Sequence, residues 1–278
     1  MTFLQHKQNF VLRHNMRYEG ITMQKVSLSQ EEIFFVAVVM NAKLGSVSFL
    51  EEGKKEILKE SSKYKNSLIA KGYAISESDG NFILNDGVKA LVNTCVNCEA
   101  SIVIEQKRKG SDLVRQLYFV KNSLMLELQQ FEMNNILIPI ADRATKIDSL
   151  LAQLELEWKV HTPKITSSVA LPNTVLEKAK ACLSKDQGVQ VLLDGGCSNH
   201  MASVIWDGLS DSMDFYGITT TLFKDSQPSM QDVIFINTDS AIVQISSTGT
   251  VLEQMIHFEA VSSSQAHKST RKILEAAF

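Results

Sequence analysis

The sequence predicts an α+β protein in which an antiparallel β-meander flanked by helices occurs twice, behind a helical, winged-helix-like N-terminal part. Three observations carry this reading. Apolar residues at helical spacing open and close each half, the period between them switches toward two, and the halves register on each other. Val88–Cys95 falls on Val175–Cys182 without a gap, and Ile102-Val103-Ile104 then falls on Val189-Gln190-Val191. Further on, Tyr118–Asn122 meets Ile234–Thr238 and Leu124–Leu128 meets Ala241–Ile245, the second copy carrying an insertion. Two such sheets can pair about a pseudo-twofold axis.

Taken in order, Ser29-Gln30-Glu31-Glu32 is a capping box that starts a helix running from Gln30 to about Lys43 and stopping at Gly45. Tyr64, Leu68 and Ile69 form the apolar stripe of a second helix that ends at Gly72. Tyr73-Ala74-Ile75 and Phe82-Ile83-Leu84 flank the polar stretch 76–81, a hairpin signal. Strands are expected near 101–106, 113–120, 124–130 and 135–140; connections this short make them antiparallel. Ile147, Leu150, Leu151 and Leu154 give the closing helix a stripe that faces the sheet, with Ile273, Leu274 and Ala277 as counterparts in the second copy. The resulting division is an extension (1–24), an N-terminal half (25–160), a linker (161–171) and a C-terminal half (172–278).

A chain of 278 residues, 44% hydrophobic and 21% charged, can bury a sizeable core. The longest apolar run, Ile33–Met40, is far short of the roughly 20 residues that span a bilayer, so no membrane insertion is expected. Lys7, Arg13, His14 and Arg17 interrupt the N-terminus, which therefore lacks the apolar centre of a secretory signal and places the chain in the cytosol. Four cysteines are too few for a disulfide framework, which agrees with a reducing compartment. A net charge of −3 gives no overall attraction to nucleic acid.

Candidate chemistry is sparse. Cys95-Val96-Asn97-Cys98 has redox or zinc spacing but lies at the end of a helix and has no second ligand pair, so buried structural cysteines are expected. Asp194-Gly195-Gly196-Cys197-Ser198-Asn199-His200 follows an expected strand. It admits a Cys197–His200 nucleophile pair, but a glycine turn opening a long hairpin accounts for it. The remaining histidines are scattered without metal-ligand spacing, and neither phosphate-binding glycine motif occurs. The expectation is no metal, no cofactor and no catalytic residue.

Two stretches suggest binding instead. Helices followed by a hairpin describe a winged helix, with Lys63, Lys65 and Lys71 around the recognition helix; Glu77 and Asp79 on the wing count against a phosphate grip, so nucleic acid is not the expected partner. The insertion in the second copy carries Met201, Trp206, Leu209, Met213, Phe215 and Tyr216 around Asp207–Asp211, read as a long hairpin whose large apolar side chains anchor a protein partner.

With these elements in place, the chain resembles the EspG-like family of type VII (ESX) secretion chaperones. The residues that carry the resemblance are Leu28–Glu32, then Ser67–Tyr73, then Leu91–Ile104, an initial helix, a leucine-containing helix ending before glycine, and a small-residue-rich helix running into a strand. The resemblance implies a cytosolic, non-enzymatic chaperone that holds a secreted helical-hairpin protein until export and docks its tip on apolar surface of the C-terminal half. Lys and Asn are more plentiful here than in actinobacterial members, and no residue-level binding motif carries over. The alternative function is a transcription regulator with an N-terminal winged-helix DNA-binding domain and a duplicated sensing or dimerisation region.

Overall fold

The computed structural model describes residues 16–18, 21–40, 59–78, 81–108, 110–131, 134–155, 167–209, 214–223, 228–238, 241–248 and 255–277. Within them the chain begins with strands β1 (Met16–Tyr18), β2 (Ile21–Met23) and β3 (Val26–Leu28), then helices α1 (Gln30–Val39) and α2 (Ser61–Ala70). Strands β4 (Ala74–Ser76) and β5 (Phe82–Leu84) and helix α3 (Asp86–Val96) follow. Next come β6 (Ala100–Lys107), β7 (Val114–Lys121), β8 (Leu124–Phe131), β9 (Asn134–Ile140) and helix α4 (Arg143–Glu155). The last part holds β10 (Ser168–Pro172), helices α5 (Asn173–Lys180), α6 (Lys185–Asp194) and α7 (Asn199–Leu209), strands β11 (Asp214–Leu222), β12 (Ser229–Asn237), β13 (Ile242–Thr248) and β14 (Met255–Val261), and helix α8 (Ser263–Ala276). The fold class is α+β, and the pairs β1–β2, β3–β9, β4–β5, β6–β11, β8–β9, β10–β14, β11–β12, β12–β13 and β13–β14 are antiparallel. Two compact units emerge, Met1–Glu99 with Tyr118–Arg143, and Ala100–Leu117 with Ala144–Phe278.

In the first unit α1 is the central helix. Ile33 through Ala37 are all buried, as a helix apolar around its circumference must be. The capping box is present: the Glu32 N–H donates to Ser29 Oγ at 3.2 Å, and the Ser29 N–H donates to Glu32 Oε2 at 2.7 Å. The expected stop at Gly45 lies outside the described residues. Helix α2 buries Tyr64 and Leu68 and stops where Gly72 takes φ +74, a left-handed conformation in which a side chain would be strained. The β4–β5 hairpin pairs Ile75 with Ile83, and β9 pairs with β8 on one side and β3 on the other.

The second unit is built on strands in the order β10-β14-β13-β12-β11-β6. Helices α5, α6 and α7 close over one face, where Leu171, Leu192, Met201, Ile205, Ile236, Val243 and Phe258 form a continuous core. Helix α8 packs on β11, β12 and β13. There, strand alternation turns Tyr216, Ile218, Val233 and Phe235 away from that core, and all four are buried. An ion pair of 2.6 Å between Arg271 and Asp148 joins α8 to α4.

Four strands followed by a helix, β6–β9–α4 and β11–β14–α8, occur twice in the element order. The registration of Ile102-Val103-Ile104 on Val189-Gln190-Val191 is wrong, because the second segment lies inside helix α6. The expected hairpin around Asp207 is likewise a helix: Met201, Val204 and Ile205 are buried on one face of α7 at i, i+3, i+4 spacing. Short apolar runs such as Val189–Leu193 satisfy either period, and here the Ser184 cap, whose Oγ accepts from the Gln187 N–H, favours helix.

Candidate partner-binding surface

The surface begins at Gly217, a buried residue inside β11. A side chain there would meet the Phe215 ring at 3.3 Å, Ile234 Cγ1 at 3.7 Å and Glu105 Cβ at 4.0 Å. Glycine thus makes a shallow floor, and the ring of Phe215 folds over it. Register explains the grouping, since Gly217 pairs with Ile234 on β12 and with Glu105 on β6. Phe215, Ile234 and Glu105 are all half-buried, so this part of the sheet face keeps contact with solvent.

Helix α7 borders the depression. A methyl group on Gly208 would fall 2.4 Å from Ile236 Cδ1, so the C-terminal end of α7 rests directly on β12, and Ile236 is the cross-strand partner of Phe215. Leu209, next in sequence, is half-buried against the core. On the other border, Arg115 Nε donates to Glu105 Oε1 at 2.8 Å. Leu113 and Val114, just before it, are exposed. The result is a small apolar depression with a charged rim, the composition that protein interfaces use.

Of the six residues expected to bind a partner, Phe215 lies at this depression, while Leu209, at the end of α7, is half-buried against the core. Met201 is 2% exposed in the core of the three helices. Tyr216 is buried on the α8 side, because alternation turns it away from Phe215. Trp206 lies against Gly188 of α6 and is half-buried there. Met213 lies outside the described residues. Ile234 and Gly217 were not anticipated; the signal for Gly217 is an isolated glycine within a strand pattern, which marks a close approach.

The other candidates take structural places. Cys95 and Cys98 are buried, and burial, with Cys98 adding to it, pushes the Cys95 thiol up to about 12. Cys197 is buried too, and its thiol is pushed up to about 11, the opposite of what a nucleophile needs. The turn that carries it requires Gly196 at φ +100 and opens a helix, not a hairpin. Among the described residues no group of three or more His, Cys, Asp or Glu side chains could hold a metal ion. Nor is any described helix long and apolar enough to cross a membrane.

Three lysines of the N-terminal unit have partners within it. Lys71 Nζ is 2.6 Å from the buried carboxylate of Glu32, Lys63 pairs with Glu60 at 2.9 Å, and Lys65 stands over the Phe82 ring. Of the three, only Lys71 is held to a buried partner; Lys63 and Lys65 are exposed.

The sequence matches no family model, and no curated protein matches it. Among solved structures it matches the Mycobacterium tuberculosis type VII secretion system chaperone EspG5, determined in complex with the PE25–PPE41 dimer. The TM-score is 0.54 at 10% identity, over 91% of this chain and 96% of that one. The resemblance to the EspG-like chaperones is therefore one of fold.

Proposed function

We propose that this protein is a chaperone that holds a helical protein destined for secretion, before export and on the cytosolic side, and that it performs no catalysis. The partner is a helical hairpin whose tip places apolar side chains on the Gly217 depression, between Phe215, Ile234 and the end of α7. The observation that carries this reading is that depression: half-buried Phe215 and Ile234 flank Gly217 on a sheet face along which Met230 is exposed as well. The fold likeness to a type VII secretion chaperone supports it. Capture would be driven by burial of apolar area at roughly 25 cal/mol per Å², offset by the cost of association.

The test is affinity purification of the tagged full chain from its native host at moderate salt, with mass spectrometry and a parallel nuclease-treated sample. A stoichiometric helical partner that survives nuclease treatment and is found outside the cell supports the reading. Recovery of nucleic acid alone favours the winged-helix regulator and overturns it.

A further inference from the structure

The N-terminal unit carries a feature that the capture surface does not use. Ile75 and Ile83 face each other across the β4–β5 hairpin and are 60% and 40% exposed. Their neighbours Ala74 and Leu84 turn inward and are buried. A cavity of about 280 Å³ opens beside the pair, lined by Gly72, Ile75, Ile83, Leu84, Asn85 and Asp86 among others. This is a second apolar surface, on the hairpin that in a winged helix forms the wing.

Charge decides what fits it. From Tyr73 to Val88 the sequence contains Glu77, Asp79 and Asp86 and no lysine, arginine or histidine. Glu77 is exposed, and strand alternation sets it on the same face as Ile75; its N–H donates to the Asn81 carbonyl at 2.9 Å and closes the hairpin. Asp86 borders the cavity and bonds to Lys89 Nζ at 2.7 Å in an exposed pair, an arrangement that contributes little and exchanges readily. Lys65 is on the opposite face of the hairpin over Phe82, and Lys71 is bound to Glu32. A nucleic acid would bring phosphates against these carboxylates. A second copy packed on the same face would bring the carboxylates against each other.

We propose that the β4–β5 hairpin is a docking site for a cationic amphipathic segment of a partner protein, with an aliphatic side chain entering the Ile75–Ile83 cavity and lysine or arginine meeting Glu77 and Asp86. It is separate from the capture surface and stands whether or not that reading does.

The test uses the full chain and two fluorescein-labelled amphipathic peptides, one of leucine and lysine, the other of leucine and glutamate, followed by fluorescence anisotropy. The leucine–lysine peptide is expected to bind, more weakly as salt is added. Ile75→Asp and Glu77→Lys should each weaken it about tenfold or more. Both positions are exposed, so circular dichroism should show both variants folded, and Phe215→Asp should leave the binding unchanged. Three results would overturn the proposal: equal binding of both peptides, binding indifferent to both hairpin variants, or self-association of the chain that Ile75→Asp disperses.

Discussion

Trp206 lies directly against Gly188: a methyl group on residue 188 would fall 1.9 Å from ring atom Cζ3 and 2.0 Å from Cε3. Alanine in a helix is favoured over glycine by about 1 kcal/mol, yet that overlap forces the indole off its seat at a cost of about 1–3 kcal/mol. Gly188→Ala should therefore destabilise the protein in urea denaturation, and Trp206→Leu in the same background should recover part of the loss. A net stabilisation by Gly188→Ala would refute the packing described for α6 and α7.

Glu32 anchors the N-terminal unit. Its carboxylate accepts from Ser67 Oγ at 2.6 Å, from the Ser29 N–H at 2.7 Å and from Lys71 Nζ at 2.6 Å, while its side chain is almost wholly buried. Glu32→Ala should cost about 2–3 kcal/mol, the scale of hydrogen bonds to a buried charge. Lys71→Met should be less damaging in the Glu32→Ala background than alone, as a double-mutant cycle would show. Strict additivity would mean that the pair is not coupled.

Buried thiols set a limit at high pH. An ordinary thiol ionises near 9, whereas burial holds Cys95 protonated up to about 12 and Cys197 up to about 11. Both folded values are raised, so the stability from keeping these thiols neutral is complete below pH 9. It is lost progressively as pH rises from 9 toward 11 and 12. Melting temperature should fall over that window, with a shallower slope in Cys95→Ala. Iodoacetamide at pH 8 should label Cys182, which is half-exposed, well before Cys95, Cys98 or Cys197. Rapid alkylation of Cys197 in the folded protein would reopen the nucleophile reading.

Exposed Glu77 on the hairpin and the hold of buried Glu32 on Lys71 predict that duplex DNA binds weakly and without preference, and that Lys71→Glu lowers stability rather than DNA affinity. A steep salt dependence in an electrophoretic shift, lost with Lys63→Glu, would contradict this.

The legible part of the fold was where local chemistry is self-sufficient. Ser29 and Glu32 announce the start of α1, Gly72 the end of α2, and the alternation from Ala100 onward the strands of the first meander. Val189–Leu193 and the insertion's Met201–Ile205 were misread because both are short apolar runs that fit either period; the Ser184 cap and packing in the shared core hold them helical. The same ambiguity governs the candidate surface. Phe215 and Tyr216 are adjacent in sequence and equally suited to an interface, but only tertiary pairing decides that Phe215 faces the depression and Tyr216 faces α8. Gly217 looks like an interruption in the strand until its neighbours on β6 and β12 are known.

If the Gly217 depression holds the partner, substitutions there must weaken binding. The measurement is to purify the partner with the wild-type chain and then determine its affinity for Phe215→Asp and Ile234→Asp by isothermal titration calorimetry. Circular dichroism would check that both variants are folded. Loss of at least about tenfold in affinity is expected for each variant. Unchanged affinity in both folded variants would show that the partner binds elsewhere.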